Sequence, residues 1–150
     1  MAPSLKDSRP AEILLVEDNV YDVILMRESF ARAKFLANIH HVEDGEACLA
    51  FLRKTGPHAG APTPDLILLD LNLPRLDGRE VMAELAADAD LRHLPVVALV
   101  ASENDASIGE MSRLGCRFHM VKPVDFEQLQ RVVREVSPCW FTLVAVPGAT

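Results

Sequence analysis

Short apolar runs alternate five times with segments whose apolar residues recur at helical spacing, and this alternation constrains the fold more than any other feature. The runs ILLV at 13–16, LILL at 66–69 and VVALV at 96–100 are apolar throughout. Strands of this kind are buried on both faces, which is typical of a parallel sheet covered by helices on each side. The sequence therefore predicts an α/β fold with five strands and five helices.

The predicted elements follow from the apolar patterns and from helix-capping residues. We expect strands at 12–18, 38–44, 65–70, 94–102 and 116–123, and helices at 19–35, 45–55, 78–88, 104–115 and 125–136. Asn19 and Asp77 are predicted helix N-caps, because Asp22 and Glu80 follow them at the third position. Segment 56–64, rich in Gly and Pro, predicts a surface loop.

The composition is that of one ordinary globular domain, with 150 residues, 49% hydrophobic and 25% charged. The formal net charge of −7 argues against a nucleic-acid-binding surface. No apolar run suits a membrane span or a secretory signal. Three cysteines without CxxC spacing indicate a reducing, cytoplasmic location. We expect a flexible tail at 1–10, one domain at 11–137 and an extension at 138–150.

Charged residues end three of the predicted strands. Glu17 and Asp18 end the first, Asp70 ends the third, and Lys122 and Pro123 end the fifth. These side chains converge if the first and third strands are neighbours, because the carboxyl ends of parallel strands share one edge. Two carboxylates about 5 Å apart repel by roughly 3 kcal/mol at an effective dielectric near 20. Each acid alone also fits a solvated strand end, but together they favour a site for Mg²⁺ or Ca²⁺ and a phosphoryl group.

The motifs VED at 16–18, LLDLNLPRLDG at 68–78 and KP at 122–123 occur in the order found in receiver domains of bacterial two-component response regulators. Asp70 lies 52 residues after Asp18, and Lys122 lies 52 residues after Asp70. The chain resembles that family over residues 12–136. The resemblance implies a doubly wound, five-stranded parallel sheet of order 2-1-3-4-5, the flavodoxin-like receiver fold.

The resemblance also implies roles for the residues at the strand ends. Asp70 would attack the phosphohistidine of a partner kinase and become an aspartyl phosphate. Lys122 would contact a phosphoryl oxygen, and its bond to Pro123 would be cis. Pro74 and Gly78 would shape the loop after the phosphorylation site.

The cofactor implied by the resemblance is Mg²⁺. Asp18, Asp70 and the backbone carbonyl of Asn72 would bind the ion directly, and Glu17 would hold it mainly through a water. The metal and the lysine would neutralise the charge that builds on the transferring group, which is most of what phosphoryl transfer requires.

Two switch positions depart from the family pattern. Where the family usually has Thr or Ser, 30 residues after the phosphorylated aspartate, this chain has Val100, which cannot hydrogen-bond a phosphoryl group. Ser102 would substitute only if its loop shifted. The aromatic residue expected three positions before the lysine is His119, for which we favour a half-exposed strand histidine over a proton or metal site. The chemistry at Asp70 depends on neither of these two positions. The conformational relay that is usual in the family depends on them.

The extension after the last predicted helix is strongly apolar. Seven of the eight residues from Cys139 to Val146 are apolar, and Trp140, Phe141 and Leu143 would each gain about 1.5–3 kcal/mol from burial. We expect this segment to pack across a two-fold dimer interface; the alternative is that it folds back on its own domain. The extension, the Gly/Pro loop and ILLDLNLPRLDGREV at 67–81 resemble the small receivers that pair with bacterial and cyanobacterial phytochromes.

These observations predict a single-domain response regulator that accepts a phosphoryl group on Asp70 from a histidine kinase, with a phytochrome as the kinase implied by the narrower resemblance. We expect a homodimer that signals by protein–protein contact, binds neither nucleic acid nor membrane, and catalyses only its own phosphotransfer and slow dephosphorylation. One alternative is a phosphorylation-independent dimeric adaptor, which Val100 favours and the intact acidic set opposes. A second is a Mg²⁺-dependent phosphohydrolase, which typically needs an acid where this chain has Asn72.

Overall fold

Five strands alternate with five α-helices in the computed structural model, which describes residues 10–73 and 75–136. The strands are β1 Ala11–Val16, β2 Ala37–Val42, β3 Leu66–Asp70, β4 Val96–Val100 and β5 Phe118–Val121. The helices are α1 Val20–Ala33, α2 Gly45–Arg53, α3 Gly78–Ala87, α4 Ser107–Arg113 and α5 Phe126–Val136. The predictions for the first nine residues, for Pro74, and for the extension with Trp140, Phe141 and Leu143 fall outside the described residues.

The strands form one parallel sheet in the order β2-β1-β3-β4-β5, which confirms the predicted doubly wound fold. β1 lies between β2 and β3, since Val16 pairs with Val42 on one side and with Leu69 on the other. The carboxyl ends of β1 and β3 are therefore adjacent. Whatever side chains follow these strands meet at one edge of the sheet.

The sheet separates two apolar cores. β3 and β4 are buried at every position. Leu68 and Leu99 pack on the side of α1 and α5, whereas Leu69 and Val100 pack on the side of α2, α3 and α4. Burial of alternate side chains on both faces explains why β4 is apolar throughout and β3 is apolar up to Asp70.

Two helix starts are capped as predicted. The Asn19 side chain accepts hydrogen bonds from the backbone N–H groups of Tyr21 and Asp22. Asp77 and Glu80 form a reciprocal capping box at the start of α3. These local bonds satisfy backbone donors that a helix leaves free at its first turn.

The helices are anchored to different degrees. The buried hydroxyl of Ser29 on α1 donates to the backbone carbonyl of Val124, 2.6 Å away, and so ties α1 to the segment between β5 and α5. Helix α4, all of which is described, follows Ala106, whose side chain makes no cap bond, while Asp105 Oδ1 accepts from the Ser107 amide at 2.8 Å. The helix buries one residue, Met111. α4 is therefore held by fewer interactions than α1.

Some boundaries differ from the prediction. β1 ends at Val16 instead of continuing to Asp18, so the two acids lie just beyond the strand. The predicted loop at 56–64 contains a single 3-10 turn, Gly56–His58. Among the described helices, none combines the length and the apolar character of a membrane span.

Candidate functional site

Charged side chains meet at the carboxyl edge of the sheet. Glu17 and Asp18 follow β1, Asp70 ends β3, and Lys122 follows β5. Carboxylate oxygens of the three acids all lie within 4.8 Å of one another. Glu17 and Asp70 are each 1% exposed, whereas Asp18 is exposed to solvent. The structure thus brings together the acids that the sequence placed at strand ends.

Lys122 supplies positive charge to this cluster. Its Nζ lies 3.0 Å from Asp70 Oδ2 and 3.2 Å from Glu17 Oε1. The ammonium offsets part of the repulsion between the two buried carboxylates, and removing it would leave them without a counter-ion. The peptide bond between Lys122 and Pro123 is cis, as predicted.

The crowding shifts the pKa of both Glu17 and Lys122. Burial, followed by the hydrogen bond and charge of Asp70, raises the pKa of Glu17 from 4.5 to about 8. Partial burial by itself lowers the pKa of Lys122, but the hydrogen bond and charge of Asp70 outweigh it and the net shift is upward. Lys122 therefore stays an ammonium, and Glu17 holds a proton near neutral pH. The raised pKa of Glu17 thus reflects burial of its carboxyl group first and the neighbouring Asp70 second.

Asp22 is a further carboxylate at the site, predicted from the sequence only as an acid in the first turn of α1. Its Oδ2 lies 3.1 Å from Lys122 Nζ. One signal was available, because Asp22 follows Asp18 by four residues and α1 starts at the functional edge of the sheet. An acid near a helix N-terminus already has a local explanation in the helix dipole, so nothing in the sequence demanded a distant partner.

Backbone contacts fix the Asp70 carboxylate and the loop that follows it. The amide of Asn72 donates to Asp70 Oδ1 at 3.0 Å. The amide of Gly78 donates to the carbonyl of Leu71 at 3.3 Å. A Cβ at Gly78 would lie 2.6 Å from the backbone oxygen of Asp70, closer than real contacts allow. Glycine at this position lets the start of α3 approach the end of β3.

Val100 and His119, the two positions that depart from the family pattern, lie next to the site. Val100 is 0% exposed and packs in the core on the α4 side, while its carbonyl accepts from the amide of Lys122 at 2.8 Å. His119 is a partly exposed residue of β5, as predicted, and its Nε2 lies 2.8 Å from Glu103 Oε2. That side-chain contact, which the sequence did not predict, joins β5 to the loop between β4 and α4.

The acidic pair is anchored from the side of β2. His41 Nε2 lies 2.6 Å from the backbone carbonyl oxygen of Glu17, and the Asn19 amide donates to Glu17 Oε2 at 3.2 Å. The neighbouring histidine, His40, instead contacts Glu12 Oε1 at 2.7 Å. Adjacent strand residues point to opposite faces, which explains why the two imidazoles do not share a partner.

The family model described as the response regulator receiver domain matches residues 13–134. The chain belongs to this family. It is 36% identical over 140 residues to response regulator Rcp1 of Synechocystis, covering 93% of this chain and 95% of Rcp1.

Solved structures of response regulators, two of which are named for phytochromes, resemble the fold. The Mn²⁺-bound form of Rcp1 matches with a TM-score of 0.74 at 36% identity, covering 93% of this chain and 100% of that one. The phosphorylated cyanobacterial phytochrome response regulator RcpA matches at 0.75 and 38%, with coverage of 93% and 100%. The bacteriophytochrome response regulator RtBRR matches at 0.79 and 32%, with coverage of 86% and 79%. The chain is thus a response regulator receiver domain related to phytochrome response regulators.

Proposed function

We propose that Asp70 accepts a phosphoryl group from the phosphohistidine of a sensor kinase in a Mg²⁺-dependent reaction, and that the protein then signals by contact with other proteins. The contact of 3.0 Å between Lys122 Nζ and Asp70 Oδ2, beside two more acids, carries this proposal. A solvated strand end would need no buried counter-ion. A carboxylate that must receive a highly charged phosphoryl group needs a counter-ion beside it.

Asp70 is the nucleophile in this reaction. One of its carboxylate oxygens forms a bond to phosphorus while the bond from phosphorus to the histidine nitrogen breaks, and that electron pair remains on the leaving imidazole. Lys122 is placed to hold negative charge on the phosphoryl oxygens. The Asn72 amide keeps Asp70 Oδ1 oriented. As a carboxylate, Asp70 needs no general base.

The donor set fits a hard divalent cation, since carboxylate oxygens from three residues lie within 4.8 Å of one another and Asp18 opens to solvent. Asp18, Asp70 and the carbonyl of Asn72 would hold Mg²⁺ directly, with Glu17 reached through a water. The bound ion supplies neutralising charge for the phosphoryl oxygens. The Mn²⁺-bound form of the relative Rcp1 supports this assignment.

The proposed partner is a histidine kinase of the phytochrome type, because RcpA and RtBRR are named as regulators of phytochromes.

We further propose that the protein turns over no substrate beyond its own aspartyl phosphate, which water hydrolyses slowly. Asn72 supports this limit, since it follows Asp70 by two residues, where a phosphohydrolase would carry an acid.

The test is phosphorylation by a small phosphodonor. Wild-type protein incubated with acetyl phosphate and Mg²⁺ should gain the mass of one phosphoryl group, measured on the intact chain. Asp70→Asn should gain none, and EDTA should prevent the gain in the wild type. Modification that persists in Asp70→Asn would contradict the proposal.

A second candidate is a phosphorylation-independent dimeric adaptor, favoured by buried Val100, which offers no hydroxyl to a phosphoryl group. This alternative predicts a dimer of unchanged size with or without phosphodonor, and no added mass.

Comparing the wild type with Trp140→Ala by light scattering tests whether the extension at 138–150 forms the proposed dimer. Equal dimerisation of both proteins would exclude that role for Trp140.

A further inference from the structure

The backbone carbonyl of Glu17 lies beyond the end of the ladder between β1 and β2. The last backbone bond there runs from the Glu17 amide to the Val42 carbonyl, at 3.1 Å. In a continued parallel ladder, the amide of Asp44 would donate to the Glu17 carbonyl. Asp44 instead turns away to cap α2, and its side chain accepts from the Ala47 amide at 2.7 Å.

The imidazole of His41 takes the place of that missing donor. His41 Nε2 lies 2.6 Å from the Glu17 carbonyl oxygen. A carbonyl oxygen only accepts, so the Nε2 of His41 carries the hydrogen in this bond. The register pairs His41 with Leu15, two residues before Glu17, so the ring reaches forward along β1 to the strand end.

This bond restrains the peptide that joins the two acids. The Glu17 carbonyl and the Asp18 nitrogen belong to one planar peptide group. The orientation of that group therefore restricts the direction in which the Asp18 side chain leaves the backbone. The Glu17 side chain is 1% exposed and is held by Lys122 and by the Asn19 amide. The Asp18 side chain is exposed, so its placement depends on its backbone rather than on burial.

We infer that His41 is a positioning residue. Its bond to the Glu17 carbonyl orients the peptide group between Glu17 and Asp18, so that the carboxylates of these two residues face Asp70. This inference rests on the proposed Mg²⁺-dependent function. His41 acts through the backbone and not as a metal ligand, since its Nε2 is committed to the carbonyl. Outer contacts that orient metal ligands typically change affinity by about 10- to 100-fold when removed.

The experiment measures Mg²⁺ binding to the apo protein by titration calorimetry. His41→Leu removes the donor at similar volume, and we expect its Mg²⁺ Kd to rise about tenfold. His41→Gln retains an amide N–H at comparable reach and should bind close to wild type. His41→Asn, one methylene shorter, should fall short of the carbonyl and weaken binding like His41→Leu. The matched control is His40→Leu, which removes the neighbouring imidazole and should leave the Kd unchanged.

Phosphorylation rates separate positioning from a general defect. In His41→Leu, the rate with acetyl phosphate should reach the wild-type maximum at saturating Mg²⁺ and fall below it only at low Mg²⁺. If His41→Leu does not fold, as judged by circular dichroism, the difference in Mg²⁺ Kd between His41→Gln and His41→Asn tests the inference instead. Unchanged Kd in His41→Leu, or equal weakening in His41→Gln and His41→Asn, would overturn the inference. Failure of the wild type to bind Mg²⁺ would instead overturn the proposed function.

Discussion

Lys122 Nζ and Asp70 Oδ2 lie 3.0 Å apart although 52 residues separate the two in the chain. The contact spans β4, because Asp70 ends β3 and Lys122 follows β5, on the far side of β4. The ammonium also reaches Glu17 after β1 and Asp22 on α1. The same lysine therefore joins elements of the fold and neutralises the proposed phosphorylation site.

Replacing Lys122 with Met keeps most of the apolar side chain and removes the terminal ammonium with its charge. Glu17 and Asp70, whose side chains are 1% and 2% exposed, then lose their counter-ion. We expect the free energy of unfolding to fall by about 2–4 kcal/mol at pH 8, and by less at pH 6, where Glu17 holds a proton. Urea denaturation at both pH values measures this. Lys54→Met, a change at an exposed lysine, should stay within about 0.5 kcal/mol of wild type.

The raised pKa of Glu17 makes stability depend on pH in the metal-free protein. The pKa is about 8 in the folded chain, against an ordinary 4.5. Between these values the folded state holds a proton that the unfolded state has lost, so the contribution of Glu17 is complete below pH 4.5 and declines as pH rises through 8. Glu17→Gln does not titrate and should lack this decline. Denaturation midpoints of the two proteins that run parallel from about pH 5 to 9 would refute the shift.

Val100→Thr tests what the missing hydroxyl does. Val100 is 0% exposed, so a hydroxyl placed there should lower the free energy of unfolding by about 1–3 kcal/mol in the unphosphorylated protein. It should also enlarge the change that phosphorylation causes in amide exchange of α4, measured by mass spectrometry. Val97→Thr, equally buried on the opposite face of β4, is the control. It should lose stability without enlarging that response; an equal response in both variants would argue against a special role for residue 100.

Gly78→Ala tests the close approach of α3 to β3. The added Cβ would lie 2.6 Å from the Asp70 backbone oxygen and 2.7 Å from Leu71 Cα, so backbone must move. We expect a loss of about 2–4 kcal/mol in unfolding free energy and slower phosphorylation of Asp70. Gly109→Ala, in α4, whose Cβ would meet only the flexible Arg113 side chain at 4.0 Å, should instead gain about 0.5–1 kcal/mol. Thermal denaturation of both variants shows the contrast, and a neutral Gly78→Ala would contradict the packing described.

The fold was predictable because its signals are local. β4 is apolar at each position and β3 at every position before Asp70, and only burial on both faces accommodates such strands. The Asp77–Glu80 capping box also lies within four residues, so its sequence pattern and its structure coincide. The acids at the edge follow from strand direction alone, once β1 and β3 are neighbours.

The remaining site contacts depend on geometry that no residue pattern encodes. Asp22 meets Lys122 across 100 residues of sequence. His41 donates to a backbone carbonyl, and that need arises only because the β1–β2 ladder stops where α2 begins. The dimer assigned to Trp140, Phe141 and Leu143 stays a prediction, since those residues lie outside the described part of the chain.

The Ser29–Val124 hydrogen bond means that the helices on the two faces of the sheet are anchored unequally. It ties α1 to the segment that carries Lys122. Helix α4 buries only Met111 among its described residues. If Asp70 is phosphorylated as proposed, we expect the structural response to appear in α4 rather than in α1, and a protein that reads this state would then contact the α4 side of the sheet.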